Sequence, residues 1–328
     1  MDMAKRPLGR SGIGVSALGF GCWAIGGPFT MFGQPDGWGD VDDLETIDAV
    51  HMALDMGVTL FDTADAYGTG HSEEVLGLSL RGRRAGAVIA TKGGYVHDAA
   101  QRALTGEDTS PAYIRRAVEA SLSRLKTDYI DLYQIHNGVI PEEHFAPLMN
   151  TLEALKAEGK IRAYGWSTWG EGNARRFAGT GGAAIQAKLN LFSYDAALVA
   201  ACEQSGLALL ANGPLAMGML TGKFDAGTRF APDDVRSATQ DWLEYYEHGR
   251  PKPAFLNRLA AVRDVLQSGG RTVAQGALGW LWAQSGSVIP IPGFKSRRQA
   301  AENAGALAHG PLSAAQIAQI ERLLQAAE

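Results

Sequence analysis

The sequence predicts an α/β chain folded as a (β/α)8 TIM barrel, on three observations. Short apolar runs rich in β-branched residues alternate with stretches of helical period, the alternation continues to the C-terminus, and it yields eight strands. An open doubly wound sheet alternates in the same way, but its dinucleotide fingerprint should then appear early. The only candidate, GFGCWAIGG, has Gly19 and Gly21 at the first spacing and Ala24 where the third glycine belongs.

In chain order, a hairpin is expected around RPLGRSGIGVS (6–16), followed by strand one at 16–22 and a helix in DDLETIDAVHMALDMG (42–57), which opens on a capping Asp and closes at Gly. Strands two and three fall at 58–63 and 87–91, and a helix opens at the Ser-Pro of SPAYIRRAVEASLSRLK (110–126). Strand four spans 130–136, a helix lies in PLMNTLEALKAEG (147–159), and strands five, six and seven fall at 161–167, 184–190 and 207–212. A loop at 218–252, carrying DWLEYYEHGRPKP, comes after strand seven; loops that long usually serve a function or are disordered. TVAQGALGWLWAQ (272–284) is a helix, 287–292 is strand eight, and LSAAQIAQIERLLQ is an extra C-terminal helix. With no linker interrupting the units, residues 1–328 are expected to form one barrel domain.

At 46% hydrophobic content the chain can bury a large core without staples. Cys22 and Cys202 belong to no CxxC pair, so buried thiols are expected in place of a disulfide or a metal site. The N-terminus lacks the apolar core of a signal peptide, and no apolar run approaches the ~18 residues of a membrane span, so a cytoplasmic location is expected. The net charge of −5 comes from interspersed acids and bases, which excludes the basic stripe of a nucleic-acid binder. The densest basic patch, Lys295, Arg297 and Arg298, suits one phosphate.

Polar residues at the C-terminal ends of barrel strands project into the mouth. Strand two ends at Asp62 with Tyr67 in its loop, strand three leads to Lys92, and strand four ends at His136. A free phenol has a pKa near ~10, too high to lend a proton readily at neutral pH. An ammonium beside it lowers that pKa, and a carboxylate beside the ammonium keeps it charged and aimed. Asp62 is therefore expected to orient Lys92, Lys92 to activate Tyr67, and Tyr67 to protonate an oxygen that the imidazole of His136 also binds. Such a set is suited to carbonyl reduction by a hydride.

These residues sit in motifs that resemble the aldo-keto reductase family, in the family's order along nearly the whole chain: GFGCW, FDTADAYGTGHSEEVLG, IATKGG, TDYIDLYQIH, LKAEGKIRAYGWS, PLAMGMLTGK and IPGFKSRRQAAEN. The resemblance implies a catalytic tetrad of Asp62, Tyr67, Lys92 and His136, and NADPH (NADP+) as cofactor in preference to NADH. It implies cofactor contacts from Gly21, Cys22 and Trp23, from Ser167, Thr168 and Gln186 around the nicotinamide carboxamide, and from Asn212. Pro214, Leu215, Met217 and Gly218 would run beneath the pyrophosphate. Gly293, Phe294 and Lys295 would meet the adenosine phosphate, while Gln299, Glu302 and Asn303 would face adenine. Two positions depart from the family pattern: Ser167-Thr168 stands where many members have Ser-Asn, and Asn212 stands where many stack an aromatic ring on the nicotinamide. Either another aromatic, Phe192 or Tyr194, is then expected to cover that ring, or the nicotinamide is held less tightly than is usual in the family.

A small carbonyl substrate is expected in a pocket lined by Trp23, Phe32, Trp38, Tyr95 and Trp169, with Trp242, Tyr245 and Tyr246 of the insertion as a lid. Two other functions share these residues. Lys92 would serve as a Schiff-base nucleophile in an aldolase-like barrel, against which the motif at 293–303 speaks. A cofactor-binding regulatory subunit with little turnover, resembling potassium-channel β subunits, would share the fold and much of the motif set.

Overall fold

A computed structural model describes residues 5–238, 240 and 242–326. All eight expected barrel strands are present: β1 (Gly19–Gly21), β2 (Leu60–Asp62), β3 (Val88–Gly93), β4 (Ile130–Ile135), β5 (Ile161–Ser167), β6 (Ala184–Lys188), β7 (Ala208–Asn212) and β8 (Val288–Pro290). They form one parallel sheet in sequence order, and a parallel bridge between Gly21 and Gly293 brings its two edges together. The Gly21 amide donates to the Pro292 carbonyl at 3.0 Å there.

Around the strands run α1 (Asp43–Asp55), α2 (His71–Ser79), α3 (Pro111–Leu125), α4 (Glu142–Ala157), α5 (Glu171–Ala178), α6 (Ala196–Gln204), α7 (Pro253–Gln267), α8 (Val273–Gln284), α9 (Arg297–Gly305) and α10 (Ala314–Gln325). Local chemistry sets their starts. Asp42 caps α1, Ser110 caps α3 with Pro111 in the first turn, and Thr272 and Gln275 form a capping box on α8. α4 begins at Glu142, upstream of the expected segment, and holds Pro147 inside it. Strand seven is followed by two helices, α7 and α8, before β8.

The expected N-terminal hairpin pairs Arg6–Pro7 with Gly14–Val15. Its Leu8, Ile13 and Val15 pack on Leu60, Val88, Leu132, Ala184, Leu210 and Ile289, inside the barrel, and so close its lower end. The outward residues of the same strands, among them Phe61, Ile89, Ile185 and Leu209, join the larger core beneath the helices. Two ribbons rise over the upper end: Phe29–Met31 with Gln34–Asp36, and Tyr95–Asp98 with Ala103–Glu107. The long insertion contains the short pair Tyr246–Glu247 and Arg250–Pro251; its residues 239 and 241 lie outside the described residues. No helix among the described residues is long and apolar enough to cross a membrane.

Side chains along a strand alternate faces, so each inward column can change character only in steps of two. The columns run from apolar to polar on the way up: Leu60 to Asp62, Val88 and Ala90 to Lys92, Leu132 to Gln134, Ala184 to Gln186, and Leu210 to Asn212. The parallel register sets Asp62 beside Ala90, and Lys92 beside Gln134.

The turn that carries Tyr67 depends on a glycine. Gly68 has φ +59°, and a Cβ there would lie 1.9 Å from the Gly26 carbonyl oxygen. Gly68→Ala is expected to cost about 2 kcal/mol through left-handed strain and that contact. A urea midpoint equal to the parent's would contradict this.

Candidate active site

At the upper end of the barrel, Lys92 is fully buried among three acceptors. Its Nζ donates to Asp62 Oδ2 at 2.6 Å, to the Thr63 carbonyl at 2.8 Å and to Tyr67 Oη at 3.1 Å. The other Asp62 oxygen accepts from the side-chain amides of Gln134 at 2.9 Å and Gln186 at 2.7 Å. Burial works against the Lys92 ammonium, but the Asp62 carboxylate and the Tyr67 oxygen hold its pKa above the usual lysine value. The expected chain of contacts from Asp62 through Lys92 to Tyr67 is therefore present.

One expectation is revised. Lys92 pulls the Tyr67 pKa down, but burial of the phenol outweighs it and the net shift is upward. Tyr67 therefore rests as a neutral phenol, the form a proton donor needs, and Lys92 offsets part of the burial penalty on the phenolate that forms when the proton leaves. The His136 ring lies edge-on to Tyr67 and to Tyr95, with centroids 5.6 and 5.0 Å away. Burial, then the Lys92 charge, push its pKa well below the ordinary histidine value, so the ring is neutral.

These groups line a cavity of about 580 Å³. Of the expected cofactor residues, Gly21, Trp23, Ser167, Gln186, Asn212, Pro214, Leu215, Met217, Gly218, Gly293, Phe294, Lys295, Gln299, Glu302 and Asn303 line it. The Gln186 amide nitrogen is committed to Asp62, which leaves its oxygen to serve a ligand. Cys22 is buried in the core, and Thr168 donates to the Gly138 carbonyl at 2.6 Å; neither lines the cavity. Trp23, Trp38 and Tyr95 line it as expected of a substrate pocket. Phe32 and Trp169 do not: they are 53% and 63% exposed, Phe32 at the turn of its ribbon and Trp169 against Gly138.

Neither Phe192 nor Tyr194 covers the space by Asn212. Phe192 packs on Tyr245 and Phe255, and Tyr194 packs on Trp280. Tyr245 lines the cavity instead, its hydroxyl accepting from Asn190 Nδ2 at 2.9 Å, while the same amide donates to the Gly213 carbonyl at 3.0 Å. Trp242 also lines the cavity, with its ring 6.1 Å from Trp23. The insertion is held over the mouth by the Val235 amide, which donates to the Gly37 carbonyl at 2.9 Å, and Lys295 Nζ, after β8, donates to the Trp38 carbonyl of the neighbouring segment at 2.6 Å.

Lys223, Arg236 and Arg298 line the same end of the cavity as Lys295; Arg298 belongs to the basic patch expected to suit one phosphate, while Lys223 and Arg236 carried no such expectation. Burial, together with Arg236 and Arg298, lowers the Lys223 pKa; burial also lowers that of Lys295. Asp234 pairs with Arg236 at 2.5 Å, yet the cluster keeps a surplus of positive charge that favours an anion. No cluster of metal-ligating side chains occurs among the described residues.

The Aldo/keto reductase family model matches residues 17–325. The chain is 30% identical over 322 residues to the NADP(+) aldo-keto reductase yakc of Schizosaccharomyces pombe, covering 94% of this chain and 87% of that one. It is 31% identical over 320 residues to the NADH-specific methylglyoxal reductase of Escherichia coli, covering 93% and 94%. Among solved structures, the glycerol dehydrogenase AKR11B4 of Gluconobacter oxydans superposes with a TM-score of 0.83 at 30% identity, covering 99% and 96%.

A neutral His136 has a consequence for stability. The unfolded histidine takes up a proton below about pH 6.5 while the folded ring refuses it, so this residue's contribution to stability falls as pH drops through that value. Histidine NMR of the native protein is expected to show no His136 titration between about pH 6 and 8. A midpoint near that of a free histidine would contradict the burial argument.

Proposed function

The chain belongs to the aldo/keto reductase family, and we propose that it reduces an aldehyde or ketone to the alcohol with NADPH, using Tyr67 as the general acid. The observation that carries this reading is the buried Lys92 ammonium, held 2.6 Å from Asp62 and 3.1 Å from the Tyr67 hydroxyl at the wall of the cavity. When bound, NADPH supplies the hydride that adds to the carbonyl carbon. Tyr67 gives its proton to the carbonyl oxygen as charge develops there, and the Lys92 ammonium stabilises the phenolate left behind. Neutral His136 orients the oxygen. Asp62, fixed by Gln134 and Gln186, keeps the ammonium aimed and charged. The whole of residues 1–328 would act as one catalytic barrel, working as a cytoplasmic enzyme.

The chemistry of the donor set fits the cofactor. Lys223, Arg236, Lys295 and Arg298 would hold phosphate groups at one end of the cavity, while Ser167 and Gln186 would meet the carboxamide at the other. A relative whose name specifies NADH keeps the cofactor choice open to test, and the cationic cluster favours the form with the extra phosphate. A Schiff-base role for Lys92 is disfavoured, because that chemistry needs a neutral amine and this one is held protonated among three acceptors. Turnover of simple aldehydes separates the enzyme from a regulatory subunit that only binds cofactor.

Tyr67→Phe removes only the proton donor. Turnover is expected to fall by about 10²–10⁴ while NADPH affinity, read by quenching of protein fluorescence, stays near the parent's. Parent-like turnover would exclude the acid role. Lys295→Glu is expected to weaken NADPH far more than NADH, since only NADPH carries the 2′-phosphate. Equal losses for the two cofactors would remove Lys295 from that contact.

A further inference from the structure

The turn that places Tyr67 is strained, and the groups that hold it take no part in the proton relay described above. Gly68, Thr69 and Gly70 follow one another with left-handed backbones, at φ +59°, +55° and +104°. Such a run persists only where the surrounding structure fixes it. Gly26 closes one side, and the Arg124 side chain crosses the other: a Cβ on Gly70 would lie 2.7 Å from Arg124 Cδ.

Directly after this turn, the first turn of α2 carries Ser72 and Glu73, both fully buried. Glu73 Oε1 accepts from the Thr91 hydroxyl at 2.6 Å, and Oε2 accepts from Arg124 Nε at 2.7 Å. Thr91 precedes Lys92 in β3, so it faces outward to α2 while Lys92 faces into the barrel. The Ser72 hydroxyl donates to the Cys22 carbonyl at 2.8 Å, which leaves its oxygen to accept from the Thr63 hydroxyl, also at 2.8 Å. Thr63 is the residue whose carbonyl accepts from the Lys92 ammonium. The Asp65 amide, in the loop between Asp62 and Tyr67, donates to the Lys92 carbonyl at 3.1 Å. Behind the barrel wall, one buried network thus grips the strand of Lys92, the carbonyl that binds its ammonium, and the turn of Tyr67.

A buried carboxylate–guanidinium pair is weak evidence of stability, since well-packed apolar residues of similar volume often do as well or better. What its directional bonds supply is a fixed geometry. We propose that Glu73, with Arg124, Thr91 and Ser72, is a positioning clamp that sets the 3.1 Å spacing between Lys92 Nζ and Tyr67 Oη. None of the four lines the cavity, so they meet neither cofactor nor substrate. The clamp acts on rate through the Tyr67–Lys92 contact, and in that respect it rests on the carbonyl-reduction reading.

The test measures kcat and KM for propanal, NADPH affinity, the urea midpoint, and the ionisation midpoint of Tyr67 by carbon NMR of ring-labelled tyrosine. Thr91→Val and Ser72→Ala each remove one hydroxyl and leave the Glu73–Arg124 pair in place. Each is expected to lower kcat about tenfold, with KM and NADPH affinity within about twofold of native, because a small misplacement of reacting groups costs rate before it costs binding. Each is also expected to raise the Tyr67 midpoint toward that of Lys92→Met, since the ammonium is held less well against the phenol. Arg124→Met is expected to lower kcat further, and Arg124→Lys, which keeps the charge, to recover part of the loss; if Arg124→Met does not fold, the two hydroxyl variants decide. A merely structural network would move the urea midpoint alone. Thr91→Val and Ser72→Ala with native kcat per folded molecule and a native Tyr67 midpoint overturn the clamp and leave carbonyl reduction standing. Native protein that binds NADPH and does not reduce propanal or other simple aldehydes overturns carbonyl reduction instead; the Tyr67 midpoint then decides the clamp, and no shift in either hydroxyl variant overturns it.

Discussion

The site depends on one buried ion pair, Lys92 with Asp62, 2.6 Å apart and sealed from solvent. Each ion alone would be costly at that depth, and removing one partner from such a pair typically costs about 3–5 kcal/mol. The pair persists because every remaining acceptor and donor around it is filled: the Thr63 carbonyl and Tyr67 hydroxyl take the other ammonium protons, and Gln134 and Gln186 fill the second carboxylate oxygen. Four strands thus meet in one polar layer directly above an apolar barrel interior. The same network sets the chemistry, since a full positive charge is fixed beside a phenol that burial keeps neutral.

The walls of the cavity come from segments that have little in common in sequence. A ribbon after β1, a second ribbon after β3 and the insertion after β7 each contribute aromatic rings, and the insertion adds Arg236 against the Trp38 and Phe230 faces, 4.9 and 3.9 Å from the ring centroids. The result is a cavity with two electrostatic ends. Cations gather where α9 begins, while the polar layer lies at the other end. An elongated ligand with phosphates toward one end and a reactive ring toward the other suits that division.

The barrel and the four-residue set were legible because both follow from local rules. Strand period, capping residues and the placement of polar groups at strand ends survive in the linear sequence, and the eight strands fall inside the segments expected of them, β3 alone running two residues further to Gly93. Gln134 had a readable signal, since it lies two positions before His136 and so shares its inward face, but a glutamine in a strand gives no hint of its partner. Trp242 and Tyr245 were expected in a lid from the aromatic content of the insertion and do line the cavity, but Arg236 had no such signal, because where a loop lands is decided by contacts with distant segments, such as Val235 with Gly37. For the same reason, aromatic character alone misplaced Phe32, Trp169, Phe192 and Tyr194. The sign of the Tyr67 shift was misread because the sequence names the charged neighbour and says nothing of the depth of burial.

The central claim is that burial keeps Tyr67 neutral while the Lys92 charge eases its ionisation. Carbon NMR of ring-labelled tyrosine, with Tyr67 assigned by its absence in the phenylalanine variant, reads that state directly across a pH titration in native protein and in Lys92→Met. The account predicts a Tyr67 signal that stays that of a neutral phenol through neutral pH, with its midpoint above the ordinary tyrosine value and higher still when Lys92 is replaced. An ionised Tyr67 at neutral pH, or a midpoint indifferent to the loss of Lys92, would contradict it.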